Sequence, residues 1–354
     1  MSGMFGDQPD LAAGAGAHPP TGGPGLASPW WRPGQVHAVR RAGSIVLLGA
    51  LPIGLISTLI IFALTYLSDA SPAALALGDN ATPAAVARLN HLWGLDKPFL
   101  VQYFTWLGHA LQGDLGVSWF DGTSVASAIG QRLPVDLSIT AVALAFAVAI
   151  GFPAGIMAGV RSGTRADRAV TVTASVAISV PAFWAGIILA AVFAVKLRWL
   201  PATGYVTIRQ DPVGWISHVT LPGLALGLLV AGTIARQLRG SIAAELAENY
   251  VVGARVRGLP PLRILLVHVL RNAAAPTVAA IGLEVPQLLG GAVVTETVFA
   301  LPGIGQYALA GAEDHDVPVI QGVLLVMVVF VLLSNLGVDL LLAWMRPGTK
   351  RGAR

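Results

Sequence analysis

The chain has 354 residues, of which 55% are hydrophobic and only 11% charged, with a formal net charge of +4. A soluble domain carries about a quarter charged residues, so this composition excludes an ordinary soluble globular protein and points to a polytopic membrane protein. With no cysteine, disulfide frameworks and thiolate metal sites are excluded, and the seven histidines form no His-x-x-x-His pair.

Residues 1–43 are rich in Gly, Ala and Pro and lack an apolar period, which predicts a disordered tail. The run 44–67 is too long for a signal-peptide core and reads as an uncleaved first span. At about 1.5 Å per residue it crosses a ~30 Å hydrocarbon layer with some tilt. Residues 68–133 are polar and hold Trp93, Phe99, Tyr103, Phe104, Trp106, Trp119 and Phe120; short interfacial helices are expected, with Leu100, Phe104, Leu107 and Leu111 at helical spacing. The core over 134–344 then carries spans two (134–160), three (169–195), four (219–238), five (274–294) and six (319–344), ahead of a short tail, 345–354. The expected class is an all-α membrane protein with six transmembrane helices.

Sixteen of the 22 Lys and Arg residues fall in the two tails, the loop between spans two and three, and the loop over 239–273 together with Arg236 on its flank. The positive-inside rule therefore places both termini and that loop in the cytoplasm, with the 68–133 segment on the opposite side. Within the loop, Ala243, Leu246, Ala247, Tyr250, Val251 and Ala254 recur at three- and four-residue steps. Gly258 and Pro260-Pro261 then force a stop, and Leu262, Leu265, Leu266, Val269 and Leu270 form a second apolar stripe with Arg263, His268 and Arg271 opposite. Two short amphipathic helices with a hard break between them follow. Such a hairpin suits the lipid headgroup layer or a protein partner.

The pattern Tyr250-Val251-x-x-Ala254-Arg255-x-Arg257-Gly258-Leu259, followed by His268-x-Leu270-Arg271-Asn272-Ala273-x-x-Pro276, resembles the cytoplasmic coupling loop of ABC importer permeases, specifically the first-permease (B-type) subunit of the peptide/nickel family. Gly94-Leu95-Asp96-Lys97-Pro98, Gly113-Asp114-Leu115-Gly116-x-Ser118, Arg132-Leu133-Pro134, Ser179-x-Pro181-x-Phe183-Trp184, Trp199-Leu200-Pro201, Glu296-Thr297-Val298-Phe299-x-x-Pro302-Gly303 and Asp316-x-Pro318-x-x-Gln321-Gly322 extend the resemblance in order from 94 to 322. The superfamily's Glu-Ala-Ala triplet is replaced by Val252-Gly253-Ala254, and the family's Pro-Gly-Asp after span one and Asp-Pro-Arg after span six are missing.

The resemblance implies a type I ABC importer permease, which would pair with a second permease as a heterodimer, two ABC ATPase subunits and an extracytoplasmic substrate-binding protein, in the cytoplasmic (inner) membrane. It also implies that Tyr250, Ala254, Arg255, Arg257, Gly258, Leu259, Pro260, Arg263, His268, Arg271 and Asn272 couple to the ATPase. No phosphate-binding G-x-x-x-x-G-K-[ST], G-x-S-x-G or H-E-x-x-H pattern occurs in the chain. The chain is therefore not expected to be an enzyme or to bind a cofactor; ATP and Mg would sit on the partner subunits, and no nucleic acid is expected.

Short peptides are the expected cargo, with nickel or another small solute as the alternative. A proton-coupled secondary transporter using Glu284 is a reading from a different class, against which the elaborate loop and the lack of an inverted repeat stand. Glu284 lies in span five, three residues before Gln287 and just before Pro286; an intramembrane acid should face a wet path or a partner helix. Thr171, Ser175 and Ser179 share one face, which suits close helix packing first and a pathway lining second. Asp339 is expected to pair structurally.

Overall fold

A computed structural model describes residues 52–60, 62, 63, 66, 71–290 and 292–345, the side chains of 343 and 344 excepted. The expected tail over 1–43, all but Met345 of the expected tail over 345–354, and residues 44–51, 61, 64, 65 and 67 of span one lie outside the described residues. Within them the chain is helical, and one isolated bridge, Val117 to Ser124, is its only extended pairing.

The longest described run of span one is α1 (52–60), and residues 62, 63 and 66 are helical as well. Three short helices follow: α2 (Pro72–Leu77), α3 (Pro83–Trp93) and α4 (Phe99–Ala110). Ser71 and Thr82 cap α2 and α3, each ahead of a proline in the first turn, where a missing N–H removes no helix bond. On α4 the buried residue is Tyr103, whose hydroxyl lies 3.0 Å from Thr58 Oγ1 on α1 and donates to the Leu55 carbonyl at 3.1 Å. The Leu100 and Phe104 face points away, leaving a broad apolar surface.

Four further helices are long and apolar enough to cross a membrane: α5 (Val125–Val160), α8 (Pro212–Leu246), α10 (Pro261–Gly290) and the span-six helix α13 (Val317–Met345). The second span thus starts earlier than expected. Pro134 and Pro153 sit inside α5 without ending it, because each deletes one helix bond and a membrane span offers the backbone few other partners. The expected continuous third span is instead α6 (Arg165–Ser179) and α7 (Ala182–Lys196), bent by 100°. Val180, held extended at φ −84° and ψ 123°, stands directly before Pro181, whose ring disfavours helical backbone in its predecessor.

The core is the α5–α8 pair. Gly151, Gly155 and Gly159 repeat every fourth residue on α5, and a Cβ on each would lie 2.7, 2.9 and 2.8 Å from atoms of α8. Reciprocally, a Cβ on Gly223 or Gly227 of α8 would lie 2.6 Å from atoms of Val142 or Ala143 on α5. The backbones meet directly, as small residues permit between membrane helices. Ile139, Ala143, Val230, Ile234 and Phe299 fill the layer beside this seam.

A corner of two short helices, α11 (Val293–Phe299) and α12 (Ile304–Glu313), joins α10 to α13. Motif segments far apart in sequence meet beside it. Ser118 Oγ donates to Asp316 Oδ2 at 2.6 Å, and a Cβ on Gly116 would sit 3.6 Å from Pro318.

Candidate functional site

The loop expected to meet a partner is built differently from the two short helices anticipated. Ala243 and Leu246 belong to the end of α8. The chain breaks at Ala247 and Glu248, the latter extended at φ −70° and ψ 146°. One short helix follows, α9 (Asn249–Val256). Gly258, at φ 74°, turns the chain in the left-handed region, its N–H bonding the Arg255 carbonyl at 2.9 Å and that of Leu259 bonding Ala254 at 3.2 Å. Pro260 stays extended and Pro261 opens α10, which runs without a break into span five. The second short helix does not exist separately, because nothing between Leu262 and Asn272 stops a helix.

Val251 and Ala254 anchor α9 among Leu238, Ile242, Ile264, Val269 and Ala273. One carboxylate joins the three elements. Tyr250 on α9 donates its hydroxyl to Glu245 Oε2 on α8, while Asn272 Nδ2 on α10 reaches Glu245 Oε2 and the Tyr250 hydroxyl, each at 3.4 Å. Burial, and next the bond to Glu245, push the Tyr250 hydroxyl above its ordinary range, so it stays protonated and donates. Sequence reasoning placed Tyr250 and Asn272 but missed Glu245, because no Gly or Pro marks the break that brings it round.

A second brace was also missed. Arg239 of α8 donates Nε and Nη2 to the two carboxylate oxygens of Asp167 on α6, at 2.9 and 2.8 Å, and Gly163 N–H bonds the same carboxylate at 2.8 Å. What remains outside is apolar and basic. Val256 is 83% and Leu262 66% exposed, Arg255, Arg257, Arg263 and Arg271 are exposed, and His268 and Leu259 are half-buried. Nothing in the described chain covers this face.

Away from the loop, Glu284 and Gln287 line a cavity of about 470 Å³ with Ala182, Leu226, Leu229 and Leu288. Neither polar side chain has a hydrogen bond or ion pair among the described residues. Ser175 and Ser179 are exposed and do not line this cavity; Ser179 Oγ bonds the Ser175 carbonyl at 2.8 Å. The close packing expected of that face is made instead by Ala174, whose carbonyl a Cβ on Gly232 would approach to 2.8 Å. Asp339, expected to pair, is exposed and unpaired among the described residues.

Residues 151–351 match the family described as "Binding-protein-dependent transport system inner membrane component", and residues 38–140 match its N-terminal counterpart. The chain is 36% identical over 280 residues to "Probable peptide ABC transporter permease protein y4tP" of Sinorhizobium fredii, covering 79% of this chain and 90% of that one. It is 34% identical to "Di/tripeptide transport system permease protein DppB" of Pseudomonas aeruginosa, over 82% and 93% of the two chains. It is 36% identical to "Glutathione transport system permease protein GsiC" of Salmonella choleraesuis, over 86% and 97%.

Proposed function

The chain belongs to the family of binding-protein-dependent transport system inner membrane components, and from that premise we infer that it is a permease subunit of an ABC importer for short peptides. One observation carries the mechanism: α9 leaves one span and enters the next, is fixed to both through Glu245, and presents an uncovered apolar and basic face.

On this reading the face of α9, with Arg255, Arg257, Gly258, Leu259, Pro260 and Arg263, seats in a groove of an ABC ATPase subunit on the cytoplasmic side of the inner membrane. Closure of the ATPase pair around ATP and Mg displaces α9 as a rigid body. Because Tyr250, Asn272 and Glu245 join it to α8 and α10, both spans move with it. Asp167 and Arg239 carry the same motion to α6. A second, different permease completes the path, and a binding protein delivers the peptide from the other side. Glu284 and Gln287 line that path, and the carboxylate attracts the cationic amine of a peptide. Ser175 and Ser179 face the second permease.

The test is reconstitution of the tagged chain with the subunits that co-purify with it in mild detergent. A P-loop ATPase and a second six-span protein are expected in the eluate, with ATP-dependent uptake of a labelled dipeptide. Deleting residues 256–264 should abolish uptake and ATPase binding. Glu284→Gln should reduce uptake while leaving the complex intact. A chain that purifies alone and transports without ATP overturns the reading.

A further inference from the structure

The corner between α10 and α13 holds two carboxyls that the transport mechanism does not use. Asp136 on α5 is 2% exposed and Glu296 on α11 is fully buried. Both meet the start of α12. The Ile304 N–H donates to Asp136 Oδ2 at 2.8 Å, and the Gln306 N–H donates to Glu296 Oε2 at 2.7 Å. A helix start offers unsatisfied N–H groups and favours negative charge, so each carboxyl has one good partner there. The carboxyls are also neighbours: a Cβ on Gly303 would lie 2.5 Å from Glu296 Oε2 and 2.8 Å from Asp136 Oδ1.

Asp136 Oδ1 and Glu296 Oε1 are buried and have no donor. None of the basic and titratable groups on the packed elements bonds either carboxyl among the described residues. Arg132 on α5 lies over the Tyr307 ring at 4.3 Å and donates to the Ala128 carbonyl. Tyr205 bonds Ser138, and His218 on α8 bonds the Gly214 carbonyl. Tyr307 on α12 bonds neither carboxyl. Two adjacent carboxyls buried without a cation cannot both ionise, since like charges at such range and the loss of water each penalise the second charge.

We propose that Asp136 and Glu296 form a buried proton-binding site, in which one proton shared between the carboxyls joins α5 to the α11–α12 corner. The proton supplies the donor that the two orphan oxygens lack. One negative charge remains, and it is the charge the α12 N-terminus stabilises. Burial first, and the Asp136 carboxyl next, push the Glu296 carboxyl up to about 8, in keeping with this arrangement.

The sign of the pH effect follows. The folded chain holds a proton that the unfolded chain releases, so this site's contribution falls as pH rises from 4.5 to about 8 and is level above that. The experiment uses the full-length chain in lipid, read by infrared difference spectroscopy and by melting temperature across that range. A protonated-carboxyl C=O stretch is expected at neutral pH, lost in Glu296→Gln and in Asp136→Asn but retained in Glu284→Gln. Either neutral variant should also flatten the pH slope of melting relative to the parent. Absence of the protonated band in the parent chain at neutral pH overturns the proposal without any variant. So does a band unchanged in either folded variant, or a melting difference between parent and variant that does not change with pH.

Discussion

Gly151→Ala tests the α5–α8 seam with a single methyl group. The added Cβ would lie 2.7 Å from the Ala231 carbonyl oxygen and 2.8 and 2.9 Å from two carbons of Ile234. None of these is the loose end of a flexible side chain. Relief to ordinary contact requires the helices to part by on the order of half an ångström, which weakens dispersion contacts along the whole pair. Overpacking of this kind costs about 1–3 kcal/mol. Gly240→Ala on α8 is the matched control, because its Cβ would meet nothing within 4 Å. There the same methyl removes the helix penalty of glycine and stabilises by up to about 1 kcal/mol. The assay is thermal or denaturant unfolding in one detergent, followed by tryptophan fluorescence. The reasoning predicts opposite signs for one chemical change at two glycines. A Gly151→Ala chain as stable as the parent would refute the direct backbone contact.

Two further outcomes follow from the loop and its brace. Arg239→Ala and Asp167→Asn should each speed hydrogen exchange at Gly163 several-fold, and the double variant should add little to either, because both remove one bidentate contact. Arg239→Lys should not restore protection, since a single ammonium cannot bond both oxygens in parallel. Gly258→Ala should cost about 1–2 kcal/mol from left-handed backbone strain alone, because the added Cβ would meet nothing within 4 Å. Gly258→Asn should be milder, and peptide-dependent ATPase activity should fall in the same order.

The long apolar runs made α5, α8 and α13 readable from sequence, because length and hydropathy suffice where every backbone bond must close internally. The turn at Gly258 was equally legible, since Gly and paired prolines act locally. The break at Ala247–Glu248 carried no such residue and was missed, and with it the role of Glu245. Pro181 was visible, but apolar residues on both sides suggested one span, whereas packing sets its 100° bend: a Cβ on Gly186 of α7 would lie 2.9 Å from the Phe299 ring. The Gly151-x-x-x-Gly155-x-x-x-Gly159 spacing was in plain view and passed unread. Ser118 and Asp316, 198 residues apart, could be quoted as motif members but not paired, since only the fold brings them together.

The first turns of α10 hold one more consequence. Residues Ile264–Val269 are wound as a π-helix, each amide reaching one residue further back than in an α-helix. An α-helix advances about 100° per residue, so a π stretch that absorbs one extra residue shifts the angular phase of everything after it by roughly that amount. Asn272 and Glu284 both lie beyond this stretch, and Leu259 and α9 lie before it. Local winding at Ile264–Val269 therefore sets together, relative to the turn at Gly258, the side of α10 that brings Asn272 to Tyr250 and the side that brings Glu284 to the cavity, as the pitch of a screw fixes the heading of its slot.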